Sequence, residues 1–225
     1  MYRRQFISDY IKTLLGFSFL PLSNILNFID KKNITRINSK RLNQNLKKLQ
    51  FFGKNKDGGI DRLAFSDADR DARKYVTALM KDVGLNVSID TAANIVGRMN
   101  GKESQLKPIM IGSHIDSVIG GGNYDGQVGS LGAIEVVKTI NENNIQLRHP
   151  IEVVIFSNEE GGKTGSRAMA NLVEDFELNI VTDSGHTIGE GLSLNGGDPN
   201  KLEDASRNSN SIAGYLELHI EQGEV

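Results

Sequence analysis

The chain has 225 residues, enough for one domain with a sizeable core, and its 26 basic and 28 acidic residues leave a formal net charge of −2. That near balance, with no basic stripe, speaks against a nucleic-acid surface and for a small-molecule partner. Cysteine is absent, so disulfides, thiolate metal sites and cysteine nucleophiles are excluded, and any metal must be held by His, Asp and Glu.

Residues 1–36 differ from the rest. Arg3-Arg4-Gln5-Phe6-Ile7 looks like a twin-arginine export motif, and the apolar run from Leu14 to Leu22 is too short for a stable membrane span. An extra N-terminal helix followed by a linker is the alternative, consistent with Lys12, Pro21 and the lack of an A-x-A cleavage site. Beyond it, Leu42, Leu46 and Leu49 recur at helical spacing and predict a helix over 39–51, ended by Gly53. Ser66 is a good N-cap for a helix over 67–83, with Asp67 and Asp69 in its first turn and Gly84 as C-cap. Short strands are expected at 86–90 and 94–99.

A strand at 109–111 leads into the polar, glycine-rich stretch 112–126. A helix follows from about Gly126, with Val128, Leu131, Ile134, Val137 and Ile140 as its apolar stripe. The continuous apolar run 151–156 is a buried strand, completing a βαβ unit. In the last strand, 214–220, Tyr215, Glu217 and His219 alternate with Leu216, Leu218 and Ile220. The pattern predicts an α/β fold with a mostly parallel central sheet flanked by helices, residues 37–225 forming the catalytic part.

Three strands end in metal-type ligands: His114 with Asp116 and Asp125, Glu159 with Glu160, and His219 with Glu221. In open α/β sheets the ligand crevice lies beyond the carboxyl ends of the strands, where groups distant in sequence converge. Two imidazoles and several carboxylates suit two divalent ions, Zn²⁺ first, with Mn²⁺, Co²⁺ or Ni²⁺ also possible. A carboxylate such as Asp125 has two oxygens and can bridge two ions. Of Glu159 and Glu160, one can bind metal while the other takes a proton from a water. Asp116 is placed to orient the His114 imidazole. The glycines at 120–122 complete neither a dinucleotide nor a P-loop fingerprint, and no G-x-S-x-G elbow is present. His149, His186, Arg62, Asp90 and Asn94 read as structural or surface residues.

These residues carry a family resemblance. Gly58-Gly59-Ile60-Asp61-Arg62, Asp90 with Asn94, GSHIDSV at 112–118, GGNYDG at 121–126, SNEEGG at 157–162 and LELHIEQG at 216–223 resemble the zinc-dependent hydantoinase/carbamoylase family. Its members are N-carbamoyl-L-amino-acid hydrolases, allantoate amidohydrolases and ureidopropionases. The resemblance implies a zinc aminopeptidase/aminoacylase-like catalytic domain, here incomplete, that hydrolyses a linear C–N amide or ureido bond of a small-molecule substrate. It implies that His114 and His219 bind one metal, Glu160 the second, and that Asp125 bridges. Glu159 would be the general base, Asp116 the support of His114, and Gln222 a substrate contact. Full-length relatives are homodimers with a lid domain and a further histidine ligand after the stretch matched here, so the chain reads as an N-terminal fragment. Its location is cytoplasmic by family habit, or periplasmic if Arg3-Arg4 marks an export signal. Gly162-Lys163-Thr164 departs from the Ser-Arg-Phe-like segment common in the family. An exopeptidase or deacylase of the same superfamily, and an inactive remnant, are the alternatives.

Overall fold

The computed structural model describes residues 35–223, so the Arg3-Arg4 motif and the apolar run up to Leu22 lie outside the described residues. From Ile37 onward the chain forms one compact unit. Helix α1, Ser39–Gln50, starts where the Asn38 side chain accepts the Arg41 backbone N–H at 3.0 Å, and it buries Leu46 and Leu49. Helix α2, Asp67–Asp82, starts at Ser66, whose Oγ accepts the Asp69 N–H at 3.2 Å. Asp67 and Asp69 sit at the positive end of its dipole, and Gly84, at φ +86°, turns the chain out of it.

Five strands follow: β1 Asn86–Ile89, β2 Ile95–Met99, β3 Ile109–His114, β4 Ile151–Phe156 and β5 Gly214–Leu216, in the sheet order β1-β2-β4-β3-β5. Helix α3, Gln127–Glu142, joins β3 to its parallel neighbour β4, the βαβ unit expected from the sequence. The α/β class holds, and the sheet is mixed. Parallel pairing is confined to β4-β3-β5, while β1-β2 and β2-β4 are antiparallel. The β1-β2 pairing follows from a tight reversal: the Asn94 N–H and side-chain amide bind the Asp90 carboxylate at 2.8 and 2.9 Å. A link that short joins only antiparallel strands.

Strand β4 is covered on both faces. Ile151, Val153 and Ile155 meet the α1–α3 layer through Val76, Met80, Leu131, Ile134 and Val137, whereas Val154 packs with Met110 and Met169 of α4, Thr164–Met169. Its one charged residue, Glu152, is neutralised by Arg98 at 2.7 Å and Arg207 at 2.9 Å. A short helix α5, Ile188–Leu194, packs beside Phe65. Among the described residues, no helix is long and apolar enough to cross a membrane.

The last strand is shorter than its alternating pattern predicts. Pairing with β3 stops at Leu216, opposite Ile111, just before Gly112 leaves regular β geometry at φ +150°. Leu216 and Leu218 are 67% and 59% exposed, so the apolar face expected over 214–220 stays uncovered among the described residues.

Candidate metal centre

The site forms at the carboxyl end of β3. His114 is its last residue, and the chain then runs extended through Ser117, which is tied to the 60–62 segment. Ser117 N–H donates to the Arg62 carbonyl at 2.9 Å, its Oγ donates to the Ile60 carbonyl at 3.1 Å, and the same Oγ accepts the Arg62 N–H at 3.0 Å. The glycine loop is held by the same strap. Gly121 and Ile60 exchange backbone hydrogen bonds, and Gly120 N–H donates to Asp61 Oδ1 at 2.7 Å. Arg62 is fully buried and donates to the carbonyls of Leu49, Phe52 and Ile115 at 2.9, 2.7 and 2.6 Å. Its structural reading from sequence therefore stands.

Within this frame, one ligand atom each from His114, Asp125 and His219 lies within 4.8 Å of the others. Nε2 of His114 is 3.7 Å from Asp125 Oδ1, and Nε2 of His219 is 3.1 Å from that same oxygen. The two imidazoles are stacked, with ring centres 5.9 Å apart and planes 27° apart. The Nδ1 of His114 lies 3.1 Å from the Asp116 backbone carbonyl and 3.6 Å from Asp116 Oδ1. A proton on Nδ1 is therefore satisfied there, and Nε2 faces Asp125 and Glu159. Asp116 Oδ1 is buried with no hydrogen-bond partner, a polar atom left facing the imidazole. Two imidazoles with carboxylates and no thiolate fit Zn²⁺, Mn²⁺, Co²⁺ or Ni²⁺.

The second carboxylate pair arrives on the loop after β4. That loop is fixed from behind: Asn94, fully buried, accepts the Ser157 N–H at 3.0 Å, and Ser157 Oγ donates to the Ala92 carbonyl at 2.5 Å. Glu159 Oε2 stands 3.7 Å from His114 Nε2. Glu160 donates its backbone N–H to Asp116 Oδ2 at 3.0 Å, and its side chain lines a small cavity with Ser117, Asn158 and Thr182. It lies outside the three-ligand cluster. Gln222 donates its side-chain amide to Asp125 Oδ2, so in this arrangement it touches a ligand carboxylate.

Charge crowding marks the site. Burial pulls the His114 imidazole pKa down, but the close Asp116 carboxylate, 3.6 Å from Nδ1, with Glu159 and Glu160, outweighs it and pushes the pKa up to about 9. Burial raises the Glu160 carboxyl above the usual range, and the Asp125, Asp116 and Glu159 charges add to this while His114 opposes it.

Several contributors escape a sequence reading. Gly126, at φ +69°, begins α3 directly beneath the His114 ring: a Cβ there would lie 2.3 Å from Nε2. An Asp-Gly pair looks like any turn, so nothing in the sequence separates this glycine from its neighbours. Ser130 donates to the His114 carbonyl at 2.7 Å without any sequence signal. Neither of the other histidines joins the centre. His149 is half-buried with its Nδ1 2.8 Å from the Lys107 carbonyl, and His186 lies in a turn with Thr182.

The sequence profile described as peptidase family M28 matches residues 94–218. The chain is 41% identical over 194 residues to an N-carbamoyl-L-amino acid amidohydrolase of Geobacillus stearothermophilus, covering 84% of this chain and 47% of that relative. It is 42% identical over 199 residues to an N-carbamoyl-L-amino-acid amidohydrolase of Pseudomonas sp. (strain NS671), covering 85% and 48%. A hydantoinase/carbamoylase family amidase from Burkholderia ambifaria superposes with a TM-score of 0.78 at 33% identity, covering 86% of this chain and 48% of that one. The chain thus spans about half the length of the curated relatives it matches.

Proposed function

Because the chain belongs to peptidase family M28 and has hydantoinase/carbamoylase enzymes among its relatives, we propose that it contributes a divalent-metal site to an amidohydrolase. The bond cleaved is a linear C–N amide or ureido bond, with N-carbamoyl amino acids as first substrate class and allantoate as second. The observation that carries this reading is the convergence of His114, Asp125 and His219, with their ligand atoms within 4.8 Å of one another.

In this reading His114 and His219 hold one ion, Glu160 holds a second, and Asp125 reaches both. When bound, the ions polarise the ureido carbonyl and acidify a water, the chemistry that two-metal hydrolases use. Glu159 faces the cluster without being part of it, the position a general base requires: it takes the attacking water's proton and returns it to the departing nitrogen. Asp116 keeps the His114 proton on Nδ1 and so leaves Nε2 free to ligate. Were Asp125 to hold both ions, both of its oxygens would be engaged, and Oδ2 here accepts from the Gln222 amide. Releasing that bond frees the Gln222 amide to meet substrate.

The test is ammonia release from N-carbamoyl amino acids and allantoate by the 225-residue chain loaded with Zn²⁺ or Mn²⁺, beside Glu159→Gln. The expected result is turnover by the wild type and a loss of about 10²–10⁴-fold in Glu159→Gln at unchanged metal content. Dipeptide cleavage without action on ureido substrates would replace this reading with an exopeptidase. Metal uptake with no turnover on any of these substrates would reduce it to a binding remnant.

A further inference from the structure

The segment that brings His219 to the site is not held by the sheet. Pairing between β5 and β3 ends at Leu216, and the three further residues to His219 span about 10 Å of extended chain at roughly 3.3 Å each. Without a hydrogen-bonded ladder, something else must set the depth and angle at which His219 meets His114.

Glu217 stands at the point where the ladder stops. Its Oε1 accepts from Ser113 Oγ at 2.5 Å, and its Oε2 lies 3.0 Å from the Tyr215 hydroxyl. That hydroxyl is also 3.1 Å from the Gly112 carbonyl, so two acceptors share its single proton. The Tyr215 ring is seated edge-on against Phe156 at the end of β4, with centres 5.8 Å apart. Ser113 immediately precedes His114, and Glu217 lies two residues before His219. In extended chain, residues two apart project to the same side. The carboxylate therefore joins the two backbones one residue before His114 and two residues before His219. On the other side, the Leu218 carbonyl lies so close to Gly129 of α3 that a Cβ there would sit 2.3 Å from the oxygen. Glu217 thus joins its own segment, through Tyr215, to Ser113, 104 positions away in sequence.

We propose that Glu217 is a positioning residue for the metal centre: through Ser113 and Tyr215 it clamps the His219 segment to the end of β3 and sets His219 against His114. This rests on the reading of His114 and His219 as ligands of one ion, and it concerns the metal-free protein as much as the loaded one. Its effect on chemistry is indirect, through the position of an imidazole.

The test uses the whole 225-residue chain and two measurements. In the metal-free protein, NMR cross-peaks between the His114 and His219 rings are expected in the wild type, weakened in Glu217→Gln and absent in Glu217→Ala. The methyl signals of Val153 and Ile155 should stay unchanged, reporting an intact core. Zn²⁺ titration should show an affinity loss of about 10–100-fold in Glu217→Ala, the range typical when a partner behind a ligand is removed. The double variant Glu217→Ala/His219→Ala should lose no more than His219→Ala alone, because both act through one imidazole. Ring cross-peaks that survive in Glu217→Ala, or losses that add in the double variant, overturn the proposal. Failure of the wild type to bind Zn²⁺ refutes the metal-site reading instead, while the ring cross-peaks still decide the role of Glu217.

Discussion

Replacing Gly126 with alanine should damage the metal centre and the fold by separable amounts. Gly126 holds φ +69° with ψ −39°, outside even the left-handed helical region, a conformation that costs a residue with a Cβ about 1–3 kcal/mol. The new methyl would lie 2.3 Å from His114 Nε2 and 2.5 Å from the ring carbons beside it, whereas ordinary contact begins near 3.4 Å. The ring must therefore retreat by about 1 Å, and it is buried, with Nδ1 against the Asp116 carbonyl and its own carbonyl bound by Ser130. Metal–ligand distances tolerate only about 0.2 Å, so the displaced Nε2 is lost as a ligand. Zn²⁺ affinity should fall by at least about 10–100-fold, the cost of disturbing even a supporting partner. Competition with a chromophoric chelator measures the affinity, and urea unfolding measures the stability. Gly120→Ala is the control: φ is +68°, but nothing lies within 4 Å of the added methyl. It should keep its metal. Zn²⁺ binding by Gly126→Ala within about threefold of the wild type, about 0.7 kcal/mol, would refute the placement of His114 over this glycine.

Gly129→Ala, normally a gain of about 0.5–1 kcal/mol inside a helix, should here weaken Zn²⁺ binding, because the methyl would push the Leu218 carbonyl and with it His219; a chelator titration that matches the wild type would sink this. Arg62→Leu leaves the carbonyls of Leu49, Phe52 and Ile115 without their donor. It should cost about 3–5 kcal/mol by urea unfolding, and a loss under 1 kcal/mol would contradict the strap. Gly191→Ala sets a methyl 2.2 Å from the fully buried Phe65 ring and should lower stability by about 1–3 kcal/mol in thermal unfolding. Zn²⁺ at 100 times its Kd should stabilise the wild type by about 2.7 kcal/mol, or about 5–10 °C in Tm. The shift should vanish in His114→Ala, and persistence there would place the ion elsewhere.

Helices and buried strands could be read closely from the sequence because their signals are local. Asn38 and Ser66 cap helices whose ends fall within a residue of the expected ones, and 151–156 is β4 residue for residue. The place of His114, Asp125 and Glu159 at or beyond strand ends was readable for the same reason. Sheet direction was less so: the reversal at Asp90–Asn94 makes β1 and β2 antiparallel and depends on two side-chain hydrogen bonds that no periodicity encodes, while β2 meets β4 antiparallel across a long stretch of chain. Strand β5 failed for a related reason. Alternation says which side chains share a face, but the length of a ladder depends on the partner, and pairing stops just before Gly112. Contacts such as Gly126 beneath His114, or Ser113 on Glu217, join groups whose meeting is a property of the folded chain alone.

The centre shows a division of labour between its ligands. His114 ends strand β3, while Asp125 and the neighbouring Glu159 sit on loops, which by themselves would order a site only when an ion arrives. Here those loops are fastened from behind by buried groups: the 60–62 strap holds 115–121, and Asn94 holds Ser157. Their positions are set by the fold before any ion binds, so little ordering entropy remains to be lost on binding. His219 is different, since its segment is largely exposed and lies beyond the end of its ladder. Its order rests on side chains, chiefly Glu217, and on the close seat at Gly129. The histidine reaching the cluster from this segment is therefore the ligand whose placement most limits affinity, and substitutions behind it should act on metal binding before they act on stability.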